Sequence, residues 1–229
     1  MSDALSLQLE VSTSRSDSDC GVIGGTPELP AGDRWPLCKI CQEELVLFFD
    51  IELPDVVQSP FMPGSRLQVF ACREHDDISG TIYSDHTRTN EIAAVKQLPP
   101  QFWDISDGHY LLRLLAPATL TESAKPETRL QKKFLRIHKN GNNCDGGLKL
   151  FGEPDWLQEP ETHTCACGSP MELILQVADG CGFQMTPNAP KQEGSFSNTQ
   201  YFLFLGNQLF LLACKAQCNA QALWPVLQN

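Results

Sequence analysis

The sequence predicts a mainly β protein with little helix, a pseudo-twofold duplication of an antiparallel β unit in two lobes that zinc stabilises. Three observations predict this class. Short apolar segments end at Gly, Pro or Asn, three blocks of residues recur in the same order, and most of the ten cysteines stand in close pairs. Such segments are typical of strands, recurring blocks indicate repeated units, and paired cysteines in a reducing compartment indicate metal sites.

The strands are predicted from apolar segments that are short and bounded by turn residues. These segments cover residues 45–53, 67–72, 110–115, 134–138, 173–177, 201–205 and 209–214. Gly206 and Asn207 separate the last two segments, which predicts a two-residue hairpin turn. A short helix is predicted over residues 90–97, because Pro99 and Pro100 follow and the residue before a proline disfavours helix.

The duplication is predicted from blocks that recur at a nearly constant offset. The offset is 127 between Cys38 and Cys165 (165 − 38), and the neighbouring proline blocks share it. It rises to 142 between Cys72 and Cys214 (214 − 72). The second copy therefore carries additional residues, which the Gly-, Pro-, Asn- and Ser-rich stretch 181–201 accommodates.

The same pattern predicts the domain organisation. Residues 1–20 are rich in Ser and Asp, and we expect a flexible arm or an edge strand there. A first β repeat follows over residues 21–120 and a second over residues 121–229, both within one continuous two-lobed domain. The boundary is expected near residues 117–129, which contain Thr, Ser and Pro.

The net charge of −11 argues against a nucleic-acid partner, because nucleic-acid binding needs a basic surface. The one basic stretch, from Arg129 to Arg136, is interpreted as a solvated charged face. The chain lacks the start of a signal peptide and any apolar segment of about 18 residues. We therefore expect a cytoplasmic protein that does not enter a membrane.

Four pairs of ligand residues predict two closed metal sites. The sets are Cys38, Cys41, Cys72 and His75 in the first half, and Cys165, Cys167, Cys214 and Cys218 in the second. A close pair on one turn and a second pair after a later strand supply the four tetrahedral ligands that structural zinc prefers. A site with four protein ligands has no open position for substrate, so we expect one or two structural Zn²⁺ ions rather than catalytic ones.

Other interpretations of the cysteines remain open at this stage. His75 is the weakest ligand because its neighbours are polar, and His86 is the substitute. Cys20, Cys144 and Cys181 are interpreted as small buried apolar residues. A redox site at Cys38 and Cys41 is disfavoured, because the pair leads into a predicted strand and not into the helix that activates such thiols.

The repeated blocks resemble two protein families. Gly24-Gly25-x-Pro27, Trp35-Pro36 and the Cys38/Cys41 pair, followed by Leu67-x-Val69-Phe70-x-Cys72, resemble the YwqG-like bacterial family, which has no agreed function. The second half resembles the programmed cell death protein 2 family. The residues that carry this are Gly152, Pro154, Trp156, Leu157, Cys165, Cys167, Gly168, Pro170, Met171, Gln176, Cys214 and Cys218, with residues 222–228 as a tail strand.

The resemblance implies a duplicated β fold and a chaperone-like role, in which the protein binds a basic ribosomal protein, or a role as a toxin-immunity protein. We accordingly expect a monomeric, non-enzymatic binding protein with a basic protein partner. The alternative is a hydrolase or transferase that uses Asp104, Asp107 and His109, or His138 and His163, although the known catalytic motifs are missing. The tryptophans are candidate partner contacts, but core packing is the stronger expectation: Trp35, Trp103, Trp156 and Trp224.

Overall fold

A computed structural model describes residues 6–57, 59–78, 96–106, 108–117, 120–123, 125–138 and 147–229. Strands dominate its regular structure, which confirms the predicted mainly β class. The strands are β1 (Leu7–Ser12), β2 (Asp19–Ile23), β3 (Glu28–Pro30), β4 (Val46–Glu52), β5 (Arg66–Ala71), β6 (Lys96–Gln97), β7 (Tyr110–Leu115), β8 (Leu120–Glu122), β9 (Lys133–His138), β10 (Leu148–Leu150), β11 (His163–Thr164), β12 (Met171–Val177), β13 (Gly182–Gln184), β14 (Gln200–Phe202), β15 (Gln208–Cys214) and β16 (Leu223–Gln228).

Ten of these strands form one antiparallel sheet that nearly closes on itself. Its order is β16-β15-β12-β10-β1-β9-β2-β4-β5-β7. The two outer strands, β7 and β16, lie beside each other, and the Leu114 N–H in β7 donates a hydrogen bond to the carbonyl of Ala220 at 2.7 Å. We call this junction the seam. β16 contains Pro225, which lies opposite Leu211 of β15.

Strand β1 lies in the middle of the sheet, and the prediction of a flexible arm over residues 1–20 was wrong for this segment. β1 pairs with β10 on one side and with β9 on the other. Its residue Leu9 is fully buried, although Ser and Asp dominate the residues around the strand. The pairing partners lie more than a hundred residues away along the chain, so local composition did not reveal the strand.

The two halves of the sheet share a register. β4 with β5, and β12 with β15, each contain a bulge, between Leu47 and Phe49 in the first pair and between Leu173 and Leu175 in the second. These positions differ by 126 residues (173 − 47). The order β2-β4-β5-β7 leads to one edge of the sheet, and β10-β12-β15-β16 leads to the other. Descent of both halves from one unit stays a prediction.

The predicted hairpin turn at Gly206 and Asn207 does not form. β14 pairs with β13 and not with β15. Between β14 and β15 the chain makes a 3₁₀ turn over Leu203–Gly206, with positive φ values of 49° at Phe204 and 61° at Leu205. Phe204 is fully buried and packs against Tyr110, with 5.4 Å between ring centroids, so tertiary burial overrides the local turn preference.

Helix is scarce in the described residues, as predicted. The other helical segment is a 3₁₀ helix over Phe102–Ser106. Residues 90–95 of the predicted helix lie outside the described residues, and Lys96–Gln97 instead form β6, which pairs in parallel with β11. In the described part of the chain, no helix has the length and apolar character needed to cross a membrane.

Arg129 and Arg136 correct the prediction of a solvated basic face. Arg136 pairs with Asp19 at 2.9 Å. Arg129 pairs with the fully buried carboxylate of Glu127 at 2.7 Å and donates to the backbone carbonyls of Glu44 and Leu45. The segment expected as a lobe boundary therefore clamps the start of β4.

The tryptophans contribute to packing, which was the stronger expectation. Trp224 is buried in the main core, and Trp156 packs on Phe210 with ring centroids 4.4 Å apart. The Trp35 ring meets the edge of Phe70, and its Nε1–H donates to the carbonyl of Leu45 at 2.8 Å.

Candidate metal centres

The first cysteine pair lies on a tight turn just before β4. Cys38 N–H donates to the carbonyl of Glu43 at 2.8 Å, and Gln42 N–H donates to the carbonyl of Cys38 at 2.9 Å. Gln42 takes a positive φ of 62°, which lets the chain reverse within a few residues. The reversal brings the thiols of Cys38 and Cys41 to one side of the turn.

The second cysteine pair lies on a turn of the same kind, just before β12. Cys165 N–H donates to the carbonyl of Ser169, and Gly168 N–H donates to the carbonyl of Cys165, both at 2.8 Å. Gly168 has a φ of +87°, where glycine is the residue with no steric cost. This turn is one residue shorter than the first, which matches the C-x-C spacing.

The remaining ligand candidates follow the strands that pair with β4 and β12. Cys72 comes directly after β5, with His75 on the following turn. Cys214 is the last residue of β15, with Cys218 on the following turn. Because β4 pairs with β5 and β12 pairs with β15, each turn faces the matching strand end.

The structure brings all eight predicted ligands together in two groups of four. We call Cys38, Cys41, Cys72 and His75 the first cluster, and Cys165, Cys167, Cys214 and Cys218 the second cluster. Within each cluster the ligand atoms all lie within 4.8 Å of one another. Both clusters are therefore compatible with binding a metal ion.

The distances fit a tetrahedral ion. Cys41 Sγ lies 3.7 Å from Cys72 Sγ, and His75 Nδ1 lies 3.6 Å from the sulfurs of both Cys38 and Cys72. In the second cluster, Cys165–Cys218 and Cys167–Cys214 are each separated by 3.6 Å. Bonds of about 2.3 Å to sulfur and about 2.0 Å to nitrogen place tetrahedral ligands about 3.8 Å (S to S) and about 3.5 Å (S to N) apart.

The same distances exclude disulfides within the clusters as the structure shows them. A disulfide joins its sulfurs at about 2.05 Å, well below the observed separations. All the described cysteines are free. The thiols are thus available as metal ligands.

The clusters differ in exposure. In the first cluster Cys38 and Cys72 are buried, and Cys41 and His75 are half-buried. In the second cluster Cys165 and Cys214 are buried, whereas Cys167 and Cys218 are exposed. Solvent therefore reaches the second cluster more readily.

Each cluster contains one thiol with a lowered pKa and at least one thiol with a raised pKa. Burial opposes the shift at Cys38 and Cys214, but backbone N–H groups and neighbouring thiols that donate to these sulfurs lower their pKa, to about 7 for Cys214. Burial raises the pKa of Cys72 to about 12 and that of Cys165 to about 11. A cluster of this kind stabilises one thiolate and resists a second until a cation enters.

Of the other cysteines, Cys20 and Cys181 do not join the clusters. Burial raises the pKa of Cys20 and of Cys181 to about 11, and both pack partly buried against the core, as expected for unreactive thiols. His86 and Cys144 lie outside the described residues.

The described residues of the enzyme alternative lie on several elements of the structure. The His109 ring is 5.8 Å from that of His75, beside the first cluster, whereas Asp104 is exposed on the 3₁₀ helix. His138 lies on β9. The buried His163 contacts the carboxylate of Glu161 at 3.1 Å, and Glu161 also pairs with Lys96. Asp107 lies outside the described residues.

A cavity of about 540 Å³ lies beside β2 and β4, and we call it the acidic cavity. Its carboxylates outnumber its cations: Asp17, Asp19, Glu28, Asp50, Glu52 and Glu122 against Arg15, Arg66 and Lys132. Burial raises the pKa of Asp50 in spite of the neighbouring Arg66 guanidinium. Sequence analysis missed this cavity, because its carboxylates come from separate strands and loops and share no local motif.

No protein-family model matches this chain, and a search of curated proteins finds no match either. The resemblance to the YwqG-like and programmed cell death protein 2 families therefore stays a prediction.

Proposed function

We propose that the first and second clusters each hold one structural Zn²⁺ ion. The observation that supports this is the tetrahedral spacing of the ligand atoms, with three sulfurs and one imidazole nitrogen in one cluster and four sulfurs in the other. Zinc favours these ligands in this geometry. Free thiolate ligands also require a reducing compartment, for which we propose the cytoplasm.

Elemental analysis tests the zinc assignment. We expect about two zinc ions per chain in the purified protein. Cys38→Ser and Cys214→Ser should each retain one ion, because each substitution removes a ligand from one cluster. Cys181→Ser, which alters a cysteine outside both clusters, is the control and should retain both. A protein with no bound metal after purification without chelators would refute the assignment.

We propose further that the protein is a non-enzymatic, monomeric binding protein for a basic partner protein, with a chaperone-like or toxin-immunity-like role. Two features support this. The clusters use all four tetrahedral positions and leave none for a substrate. The net charge of −11 favours encounter with a basic partner and disfavours acidic ones.

Reconstitution tests the binding function. A basic protein recovered by affinity capture should form a stoichiometric complex with the purified chain, and light scattering should show one chain of each. The association rate should fall as salt rises, because the attraction is electrostatic. Failure to recover or reconstitute any such complex, at low and at moderate salt, would contradict the proposal.

A further inference from the structure

In the second half of the sheet, the buried side chain of Lys149 fills a polar site. On β10, Lys149 lies opposite Gln176 of β12. The Lys149 side chain is buried, and its ammonium donates to the carboxylate of Asp155 at 2.6 Å and to the carbonyl of Glu153 at 2.8 Å. An ammonium group thus occupies this polar site from inside the molecule.

The same position in the first half carries no ammonium group. On β2, Val22 lies opposite Asp50 of β4, as Lys149 lies opposite Gln176. The offsets are 127 (149 − 22) and 126 (176 − 50), which agree with the offset of the metal ligands. Valine ends too early to reach the groups that an ammonium would contact.

The surrounding hydrogen bonds confirm that the two positions correspond. Asp155 N–H donates to the side chain of Gln176 at 3.0 Å, and Glu28 N–H donates to the side chain of Asp50, also at 3.0 Å. Glu28 therefore takes the place of Asp155. The correspondence follows from the shared register and does not require a common origin.

The acidic cavity lies where Lys149 would extend if the first half carried it. Val22, Thr26, Glu28 and Asp50 all line the cavity, and they stand at the positions of Lys149, Glu153, Asp155 and Gln176 in the second half. The cavity volume of about 540 Å³ lies within the range of about 300–1,000 Å³ that is usual for binding sites.

Arg66 stands at the position of Gln208 in the second half (208 − 66 = 142), and it brings a guanidinium to this site from β5. It compensates for part of the negative charge in the cavity. Its guanidinium contacts Glu28 at 2.9 Å, Glu52 at 3.2 Å and Asp50 at 3.3 Å, so one cation serves three carboxylates. The exposed Asp17 and Glu122 add charge at the rim. Arg15 and Lys132 also line the cavity, and Arg136 pairs with Asp19 at 2.9 Å, so six carboxylates face four cations. The remaining surplus of carboxylates favours a further cation.

We propose that the acidic cavity binds a lysine or arginine side chain of the basic partner, in the position that Lys149 fills in the second half. The inference rests on the proposed function and assigns it a site. The Glu28 carboxylate and the surplus carboxylates at the rim bind the incoming ammonium or guanidinium group, as Asp155 binds Lys149.

Val22→Lys tests this site, because it supplies the ammonium from within, as Lys149 does. The probe is a short fluorescent peptide of Lys, Arg, Gly and Ser, measured by anisotropy, with a Gln-substituted peptide as the negative probe. We expect Val22→Lys to weaken peptide binding by at least about tenfold. The matched control is Val57→Lys, at a fully exposed valine outside the cavity, which should bind like the wild type.

A second pair of variants keeps the test independent of how Val22→Lys folds. Asp17→Asn with Glu122→Gln removes two exposed carboxylates at the cavity, and Asp179→Asn with Glu193→Gln removes two exposed carboxylates elsewhere. The net charge changes equally, so only the first pair should weaken binding if the cavity is the site.

The outcomes separate the site from the function. Equal peptide binding by the wild type, by Val22→Lys and by Asp17→Asn with Glu122→Gln would show that the cavity is not the binding site. The proposal of a basic partner would still stand. A wild type that binds neither the peptide nor a basic protein would overturn both. Preferential binding of spermidine over the peptide would refute the proposal that a protein side chain occupies the cavity.

Discussion

At the scale of single residues, the fully buried carboxylate of Glu127 connects two segments of the chain. Its carboxylate accepts hydrogen bonds from the Leu47 N–H at 2.9 Å and from the Arg129 guanidinium at 2.7 Å. Breaking a buried ion pair leaves the remaining charge without compensation, which is costly.

Glu127→Gln should therefore lower the free energy of unfolding by about 3–5 kcal/mol in urea titrations. Glu44→Gln is the control, because Glu44 pairs with the exposed Lys125, and it should cost about 0–1 kcal/mol. Equal effects of the two substitutions would contradict the role assigned to the Glu127–Arg129 ion pair at the start of β4.

The thiols determine how metal affinity depends on pH. Burial holds Cys72 at a pKa of about 12 and Cys165 at about 11, so an ion must displace protons from these sulfurs at neutral pH. Lower pH adds protons that compete with the ion, so affinity falls as pH falls. Near pH 8 the decline should be steeper for the second cluster, which has one more thiol than the first, and towards pH 5 protonation of an imidazole ligand adds to the decline for the first cluster.

Zinc retention against a competing chelator, measured between about pH 8 and about pH 5, checks this dependence. Cys214→Ser isolates the first cluster and Cys38→Ser isolates the second. Retention that stays constant across this range in both variants would show that the thiols do not bind the ion as thiolates.

The ligand residues were predictable from sequence because each pair is local. Close pairs such as Cys38 and Cys41 predict a turn, and the apolar segments after them predict the strands that bring the pairs together. The acidic cavity was not predictable, because Val22, Asp50 and Glu122 meet only through strand pairing over long separations.

At the scale of elements, six of the seven apolar segments predicted as strands form strands, and residues 110–115 form β7 as predicted. Two of the misses have a common cause. Both β1 and the turn before β15 depend on partners that are distant in sequence. β1 pairs with β9 and β10, and Phe204 in the turn packs against Tyr110. Local propensity carries no information about such contacts.

Leu9→Ala measures how central β1 is to the fold. A residue in a flexible arm would tolerate this change, whereas the fully buried Leu9 should lose about 2–5 kcal/mol of the free energy of unfolding. Glu10→Ala, at a half-buried position of the same strand, should have a smaller effect. A negligible effect of Leu9→Ala in urea unfolding would contradict the central position of β1.

At the scale of the whole molecule, one sheet joins the first and second clusters. The first cluster lies near β4 and β5 and the second near β12 and β15. In the order of the sheet, four strands lie between β12 and β4, namely β10, β1, β9 and β2. A continuous hydrogen-bonded sheet is expected to unfold cooperatively, so the two halves should not melt independently.

Calorimetry of Cys38→Ser and Cys214→Ser tests this coupling. Each variant should melt in a single transition at a lower temperature than the wild type, because loss of either ion weakens the same cooperative unit. Two resolved transitions, one of them unchanged from the wild type, would show that the lobes are independent.

The seam restricts the ways in which a partner can attach. Many proteins capture an extended peptide by adding it as a further strand at a sheet edge, where free backbone groups hold it. In the part of the chain that the structure describes, the outer strands of the main sheet face each other, and Pro225 in β16 has no N–H to offer. If the proposed basic partner binds at this sheet, we expect it to contact side chains, which favours discrimination by charge over generic backbone pairing.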